Sequence, residues 1–283
     1  ETAGRSPDFG ETMNAHSGKT AIVTGASSGI GRASAEALVR AGYTVFGTSR
    51  RTLDDGLRGI SMLTCDVTDE AAVAALVSTV LSRTEQIDVL VNNAGMGLVG
   101  GAEESSISQV QALFDVNLFG AIRLTNAVLP SMRQRGQGRI INISSILGLI
   151  PAPYSAHYSA TKHALEGYSE SLDHETRVFN VRVCLIEPAY TRGVFEQNAL
   201  APDAAVPDYD QARARARKNE RDAAATAEPP EVVAKTVVLA ATAARPRRRY
   251  AAGKLARKVS MLRRFVPTDA FDKSLRKQMG LPV

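Results

Sequence analysis

Short runs of consecutive apolar residues alternate along this chain with longer stretches whose apolar positions recur every three or four residues. The runs "KTAIVTG" (19–25), "YTVFGTS" (43–49), "ISMLTCDV" (60–67), "DVLVNNAG" (88–95), "GRIINISS" (138–145), "VRVCLIEP" (181–188) and "RRRYAAG" (247–253) have strand length. Several are apolar through successive positions, as strands are when helices cover both faces of their sheet. Between them, "GIGRASAEALVRAG" (29–42) sets Ile30, Ala33, Ala37 and Leu38 at helical spacing and closes on Gly42. "DEAAVAALVSTVLSRT" (69–84) opens on two acids, which suit a helix N-terminus, and "PPEVVAKTVVLAAT" (229–242) opens on Pro230. Strand–helix alternation of this regularity predicts a doubly wound α/β fold with a mostly parallel sheet. Ligands of such sheets bind outside the carboxyl ends of the strands.

Three segments stand outside the alternation. Residues 1–17 are polar and patternless and are read as an extraneous or disordered leader. Residues 198–230, rich in Ala, Pro and charge, interrupt the last strand–helix unit. A long insertion at that point predicts a helical flap over the ligand crevice, spanning about 191–228. Residues 254–283 form a basic extension, which leaves 18–253 as a single α/β domain.

Composition narrows the classes without choosing among them. The chain has 283 residues, 44% hydrophobic and 22% charged, ordinary for a globular protein. No run of the sequence approaches the roughly 20 apolar residues that span a bilayer, and the first residues lack a secretory pattern. Cys65 and Cys184 lie far apart inside apolar runs and are expected as buried free thiols, and the histidines make no metal-ligand spacing with them. A reducing, cytoplasmic setting is the expectation. The net charge of +5 is uneven, with residues 245–283 at +10 and the rest at −5.

Chemistry first shows in "TGASSGIG" (24–31), which ends the first strand and opens the first helix. Glycines at 25, 29 and 31 permit a tight turn whose backbone N–H groups and helix N-terminus face an anion such as a pyrophosphate. The spacing Gly-x-x-x-Gly-x-Gly differs from the general dinucleotide fingerprint, and a small-residue strand–helix turn is the competing reading. An acid at the end of the second strand would bind a ribose 2′-OH, whereas arginine attracts a 2′-phosphate. Here that strand ends in Thr48, Ser49, Arg50 and Arg51, with no acid before Asp54. Arg50 therefore favours NADP(H), against the alternative of a solvated basic turn.

The second constellation is Tyr158 and Lys162, four apart in a stretch of helical spacing and so on one face. A phenol titrates near 10, and a neighbouring ammonium stabilises the phenolate and lowers that value. Ser145 ends the "GRIINISS" strand on the ligand edge, where its hydroxyl can donate to a carbonyl. Tyr154 and Tyr168 have Tyr158 and Leu172 at plus four, so neither has a lysine partner there.

With these motifs together, the chain resembles the short-chain dehydrogenase/reductase family from about residue 18 to 253. "TGASSGIG" looks like its cofactor loop, which implies Gly25, Ser27, Ser28, Gly29, Ile30 and Gly31 as cofactor contacts. "CDV" puts Asp66 and Val67 at the adenine, and "NNAG" (92–95) puts Asn93, Ala94 and Gly95 under the cofactor. "NISS" and "YSATK" match the serine and the Tyr-x-x-x-Lys, and "DVNLFG" supplies Asn117. The resemblance implies hydride exchange between NADP(H) and a carbonyl carbon. Tyr158 protonates the oxygen, Ser145 orients the carbonyl, and Lys162 holds the nicotinamide ribose while lowering the tyrosine pKa. Asn117 positions a relay water, or bends its helix, or both. Ser144 is second choice for the serine. His157 and His163 are expected to line the pocket or pack. Where the family commonly shows Pro-Gly after the sixth strand, this chain has Pro188-Ala189, with Thr191 still at the nicotinamide contact.

"SSILGLIPAP" (144–153), "GMGLVG" (95–100) and the segment after Thr191 would rim a mostly apolar pocket, which favours a lipophilic ketone or secondary alcohol. A nucleotide-sensing binding protein on the same scaffold is the alternative, and it should lack the tyrosine or the lysine. In "KLARKVSMLRRFV" (254–266), Leu255, Val259, Leu262 and Val266 share a face, read as an amphipathic helix packing on the domain. Membrane-surface association is the second reading, and no nucleic-acid partner is expected because no aromatic platform accompanies the charge. A homodimer or homotetramer is the expected assembly.

Overall fold

Strand residues of this chain alternate between two apolar layers, and that alternation builds the molecule. In this computed structural model, which describes residues 18–52, 57–193, 195 and 198–278, seven strands form one sheet. The leader, Asp54, Val194, Glu196, Gln197 and the last residues of the basic extension lie outside the described residues. The strands are β1 (Thr20–Val23), β2 (Thr44–Ser49), β3 (Ile60–Thr64), β4 (Val89–Asn92), β5 (Gly138–Ile143), β6 (Val181–Pro188) and β7 (Arg249–Ala252). Their order is β3-β2-β1-β4-β5-β6-β7, and every pairing is parallel. The expected doubly wound α/β fold is therefore observed, as a single sheet with helices on both faces.

Helices α1 (Gly29–Arg40) and α7 (Pro230–Thr242) cover one face, where Leu38, Val233 and Val237 meet Ala21, Val23, Val91, Ile141 and Ile186. Helices α2 (Glu70–Thr84), α4 (Gly120–Arg135) and α5 (Ala156–Thr176) cover the other, where Leu76, Val80, Leu124 and Leu172 meet Ile22, Leu90, Ile140 and Val183. Asp69 caps α2 by accepting from the Ala71 and Ala72 amides. Cys65 and Cys184 are buried free thiols, and burial pushes both up to about 11, which leaves them unreactive near neutrality.

Strand order reverses between β1 and β4, and the crevice outside their carboxyl ends is where ligands of such sheets bind. A polar layer runs under that edge. Asn92 donates to Asn142 (2.9 Å), which donates to Ser169 of α5 (2.8 Å). The buried face of α5 is itself polar, carrying Ser159, Thr161, Lys162, Glu166, Ser169 and Asp173.

Two expectations need correction. A helix running from Ile107 through α3 (Ile107–Phe114), a π-helical turn (Asp115–Phe119) and α4 to Arg135 is, by length and composition, apolar enough to cross a membrane. The sequence hides this because no single run is uninterrupted. In the fold, its Leu113, Leu124, Val128 and Met132 enter the core. Helix α8 (Lys254–Phe265) packs on the domain, but not through the stripe read from the sequence. Ala256 is buried and Val259 partly so, against Ile146, Ile150 and Phe271 of α9 (Thr268–Gln278), while Leu255 and Leu262 are exposed. The small Ala256 sets the inward face because it allows the helix to approach the Ile146–Ile150 loop closely.

The insertion after β6 is largely helical, with α6 at Asp210–Ala225. It is strapped to residues 97–109. The Leu200 amide donates to Gly97 O (2.8 Å) and the Val99 amide to Leu200 O (3.2 Å). Fully buried Glu104 accepts from the Gly101 and Val206 amides and pairs with Arg213 of α6.

Candidate active site

The glycine turn owes its shape to close approach. Gly25 and Gly29 have φ of 65° and 53°, in the left-handed region that glycine reaches without penalty. A Cβ on Gly31 would lie 2.2 Å from Gly25 O and 2.4 Å from Asn93 Nδ2. Asn93 clamps the turn by donating to Thr24 O (2.9 Å) and Gly25 O (3.3 Å), while Thr24 Oγ1 accepts from the Asn93 and Ala94 amides (2.9 Å each). Ser28 is the extended N-cap of α1 and makes no side-chain capping bond, so the first N–H groups of the helix face the crevice. Ile30 and Ser27 are both half-buried, Ile30 with its side chain against the core. The donor set and the cradle fit a dinucleotide.

Along the same edge, Arg50 is exposed at the end of β2. Asp66 is held below its ordinary pKa, first by the Thr68 amide (2.9 Å), then by the Thr68 hydroxyl (2.8 Å), with a smaller contribution from Arg50. Val67 is buried against Gly120. Gly95 lies against Asn117: a Cβ there would sit 3.3 Å from Asn117 Oδ1. Pro188 ends β6, and Thr191 donates to Ala189 O (3.3 Å) and bridges to Glu228. Among the described residues only Glu85, Tyr154 and Asn180 combine a side chain with positive φ. Ala189 therefore replaces the usual glycine without backbone strain.

Tyr158 and Lys162 come together across the first two turns of α5. The Lys162 ammonium sits 5.7 Å from the Tyr158 ring centroid and donates to Ile143 O (2.9 Å), the last carbonyl of β5. Burial lowers the Lys162 pKa to about 8, opposed by the negative charge of Glu166. Ser145 follows β5 with extended backbone. Its Oγ accepts from the Leu147 amide (3.1 Å), which leaves its own proton for donation. Ser145 is half-buried, whereas Ser144 is buried below the turn beside Glu166. The Phe195 ring lies 5.9 Å from that of Tyr158. Just ahead of α5, Tyr154 adopts φ of 64°, a strained value for a bulky residue, and its carbonyl accepts from Gly100 N (2.9 Å).

Asn117 sits in the π-helical turn, so the polar residue and a helix irregularity coincide. Its Oδ1 accepts from the Met96 amide (2.8 Å), and its Nδ2 donates to Met96 O (2.9 Å) and Thr161 Oγ1 (3.2 Å). His157 reaches Ala102 O and His163 reaches Ser159 O, both at 2.9 Å, so neither faces the phenol. A shallow cavity of about 330 Å³ within the flap, lined by Ala201, Pro202, Arg213 and Arg217 among others, contains none of these groups.

The sequence reading passed over Thr24, which props the glycine turn, and a buried charge cluster of Glu166, Glu187 and Arg249. The glutamate inside the apolar strand "VRVCLIEP" was the available signal for the cluster.

Comparison with known proteins gives the same reading from another side. Residues 19–203 match the family model described as short chain dehydrogenase. A 3-ketodihydrosphingosine reductase of Bacteroides thetaiotaomicron is 42% identical over 177 residues, 62% of this chain and 65% of that protein. Human retinol dehydrogenase 8 is 39% identical over 196 residues, 65% of this chain and 62% of that protein. The alignments thus span just under two thirds of these two relatives. A short-chain dehydrogenase structure from Streptomyces avermitilis is 37% identical with a TM-score of 0.79, covering 92% of this chain and 95% of its own. A metagenomic short-chain oxidoreductase in complex with NADP is 30% identical (TM-score 0.64; 83% of this chain and 96% of its own). A Burkholderia phymatum member in complex with NAD is 26% identical (TM-score 0.77; 91% and 95%). Matched motifs, strand order and relatives agree: the chain belongs to the short-chain dehydrogenase family, oxidoreductases that act on CH–OH and C=O groups with a nicotinamide cofactor.

Proposed function

We propose that this enzyme reduces a lipophilic ketone, or oxidises the corresponding secondary alcohol, using NADP(H). The observation that carries the reading is the Lys162 ammonium 5.7 Å from the Tyr158 ring, with the Ser145 hydroxyl on the neighbouring turn. When bound, the nicotinamide supplies or accepts the hydride. Tyr158 moves the proton: its phenol donates to the nascent alkoxide in reduction and accepts from the alcohol in oxidation. Lys162 stabilises the phenolate and so brings it toward neutral pH. Ser145, its oxygen fixed by Leu147 N, donates to the carbonyl oxygen and orients it. Asn117 commits its carboxamide to Met96 and Thr161, so a relay water would meet the main chain of the π-helical turn instead. Arg50, exposed at the end of β2 with no carboxylate at that position, favours a 2′-phosphate.

Phe195, exposed and with its ring beside that of Tyr158, gives the mouth an apolar wall, and two relatives, a 3-ketodihydrosphingosine reductase and a retinol dehydrogenase, are named for lipophilic substrates. A panel of long-chain ketones, cyclic ketones, aldoses and 2-keto acids, followed by loss of reduced-nicotinamide absorbance with NADPH and with NADH, tests the assignment. Turnover of the apolar ketones with NADPH preferred is expected. Turnover confined to aldoses or keto acids would overturn the substrate class, and a preference for NADH would overturn the cofactor.

A further inference from the structure

Two buried carboxylates, a third at the rim and one half-buried guanidinium cluster behind the lysine. Arg249 of β7 pairs with Glu166 and Glu170 of α5 and with Glu187 of β6, at 2.8 Å for the latter two. Glu166 and Glu187 are almost wholly buried, while Glu170 is partly exposed. One guanidinium cannot neutralise all three carboxylates when they are ionised, and the two buried ones bear the cost of that in a region of low dielectric. Glu166 lies one helical turn beyond Lys162 on the same buried face of α5.

Glu166 also abuts the catalytic serine turn. A Cβ on Gly148 would lie 2.8 Å from Ser144 Oγ and 2.9 Å from Glu166 Oε1, so only glycine leaves room for the carboxylate there. The Ser144 hydroxyl is near enough to favour the charged carboxylate, although the pair falls short of an aligned hydrogen bond. Glu166 thus touches both elements that carry the chemistry, the turn of Ser145 and the helix of Lys162.

We propose that Glu166 is a positioning residue for this reaction, a buried anion anchored by Arg249 that holds Lys162 cationic beside Tyr158. This rests on the assignment of Lys162 to the proton-transfer site. The charged and titratable groups around the pair are few. Lys162 faces Tyr158 and Glu166; Glu166 faces Lys162 and Glu170 on its own helix, Glu187 on β6, Arg249 on β7 and the Ser144 hydroxyl after β5. Burial, with Glu187 and Glu170 adding to it, raises the Glu166 pKa to about 7, while burial lowers Lys162 to about 8. Both groups are charged together between those values, so each should register the other's titration.

The test is a pH titration of the full chain labelled with carbon-13 at lysine Cε and read by NMR, with Lys162→Arg to assign the signal. In the wild type, Lys162 should titrate near 8, with a second inflection near 7 as Glu166 ionises. Glu166→Gln should remove the second inflection and lower the Lys162 midpoint by about one unit, a tenfold loss of proton affinity. Glu166→Asp should restore part of that shift. Glu187→Gln removes a comparably buried carboxylate from the same arginine and should leave the Lys162 midpoint within a few tenths of a unit. A single-step wild-type curve overturns the proposal without any variant, as does an equal shift in Glu187→Gln. In turnover, the alkaline limb of the kcat profile should move to lower pH in Glu166→Gln while KM holds. The NMR result needs no substrate. A wild type that shows the coupling but turns over no carbonyl refutes the proposed activity and leaves the coupling standing, and the converse separates as cleanly.

Discussion

Replacing Gly31 by alanine isolates what the glycine turn is for. The new Cβ would lie 2.2 Å from Gly25 O, 2.4 Å from Asn93 Nδ2 and 2.8 Å from Gly25 C, and two of these three are main-chain atoms that no rotamer can move. Helix α1 would have to retreat from the turn, or Asn93 would have to release it. Overpacking of this kind costs about 1–3 kcal/mol. Losing the Asn93 bonds to Thr24 O and Gly25 O adds about 1 kcal/mol each. The sum, roughly 3–5 kcal/mol, should lower Tm by about 6–20 °C for a domain of this size. Retreat of the helix N-terminus should weaken dinucleotide binding at least tenfold, about 1.4 kcal/mol. Gly29→Ala is the control. Gly29 has φ of 53°, yet a Cβ there meets nothing within 4 Å, so only the left-handed penalty of about 1–2 kcal/mol applies. Thermal unfolding and NADPH fluorescence titration read both variants. If Gly29→Ala proves the more damaging, or Gly31→Ala binds and melts like the parent, crowding is not what requires the glycine.

Tyr158→Phe removes the proton donor and keeps the ring, so turnover should fall by about 10²–10⁴ while NADPH affinity stays within about twofold; loss of binding would contradict the assigned role. Arg50→Asp should reverse the ratio of NADPH to NADH dissociation constants, and an unchanged ratio would remove the basis for NADP(H). Stability should pass through a minimum between pH 7 and 8, read by urea unfolding across pH. Glu166 binds its proton more tightly folded than unfolded, so its contribution is complete below 4.5 and is lost as pH rises through about 7, while Lys162 binds its proton less tightly folded, so stability returns between about 8 and 10.5. Each limb is at most about 3 kcal/mol, and Glu166→Gln should flatten the acid limb while starting the alkaline limb about one pH unit lower.

The elements, and the meeting of Tyr158 with Lys162 on one helix face, were legible in the sequence for physical reasons. Consecutive apolar residues such as Leu90–Val91 and Ile140–Ile141 fit only strands buried on both faces, and Tyr158 with Lys162 fits one helix face. Buried charge was barely legible: Glu187 stands out inside an apolar strand, but Glu166 and Glu104 look in sequence like any solvated acid. Their partners Arg249 and Arg213 lie 83 and 109 residues away. The phase of α8 was misread because leucine and valine outrank alanine by hydrophobicity, whereas contact distance made Ala256 the inward residue. The only mark of the π-helical turn is the polar Asn117 itself.

The cluster around Arg249 also accounts for where the lysine can sit. A lysine driven into an apolar layer with no counter-charge loses its proton, and a neutral amine would not stabilise a phenolate. One exposed to water would keep its charge but would be screened and mobile, and so act weakly on the phenol. Lys162 is 5% exposed and its ammonium is tethered to Ile143 O, which fixes it, yet its pKa stays at about 8 because Glu166 offsets part of the desolvation. The negative charge that does so is in turn expensive to bury, and Arg249 holds it from the last strand of the sheet. The chain that places Tyr158 therefore extends through Lys162 and Glu166 to β7. A substitution at Arg249, outside the reacting groups, should consequently change the pH dependence of the reaction before it changes the affinity for the substrate.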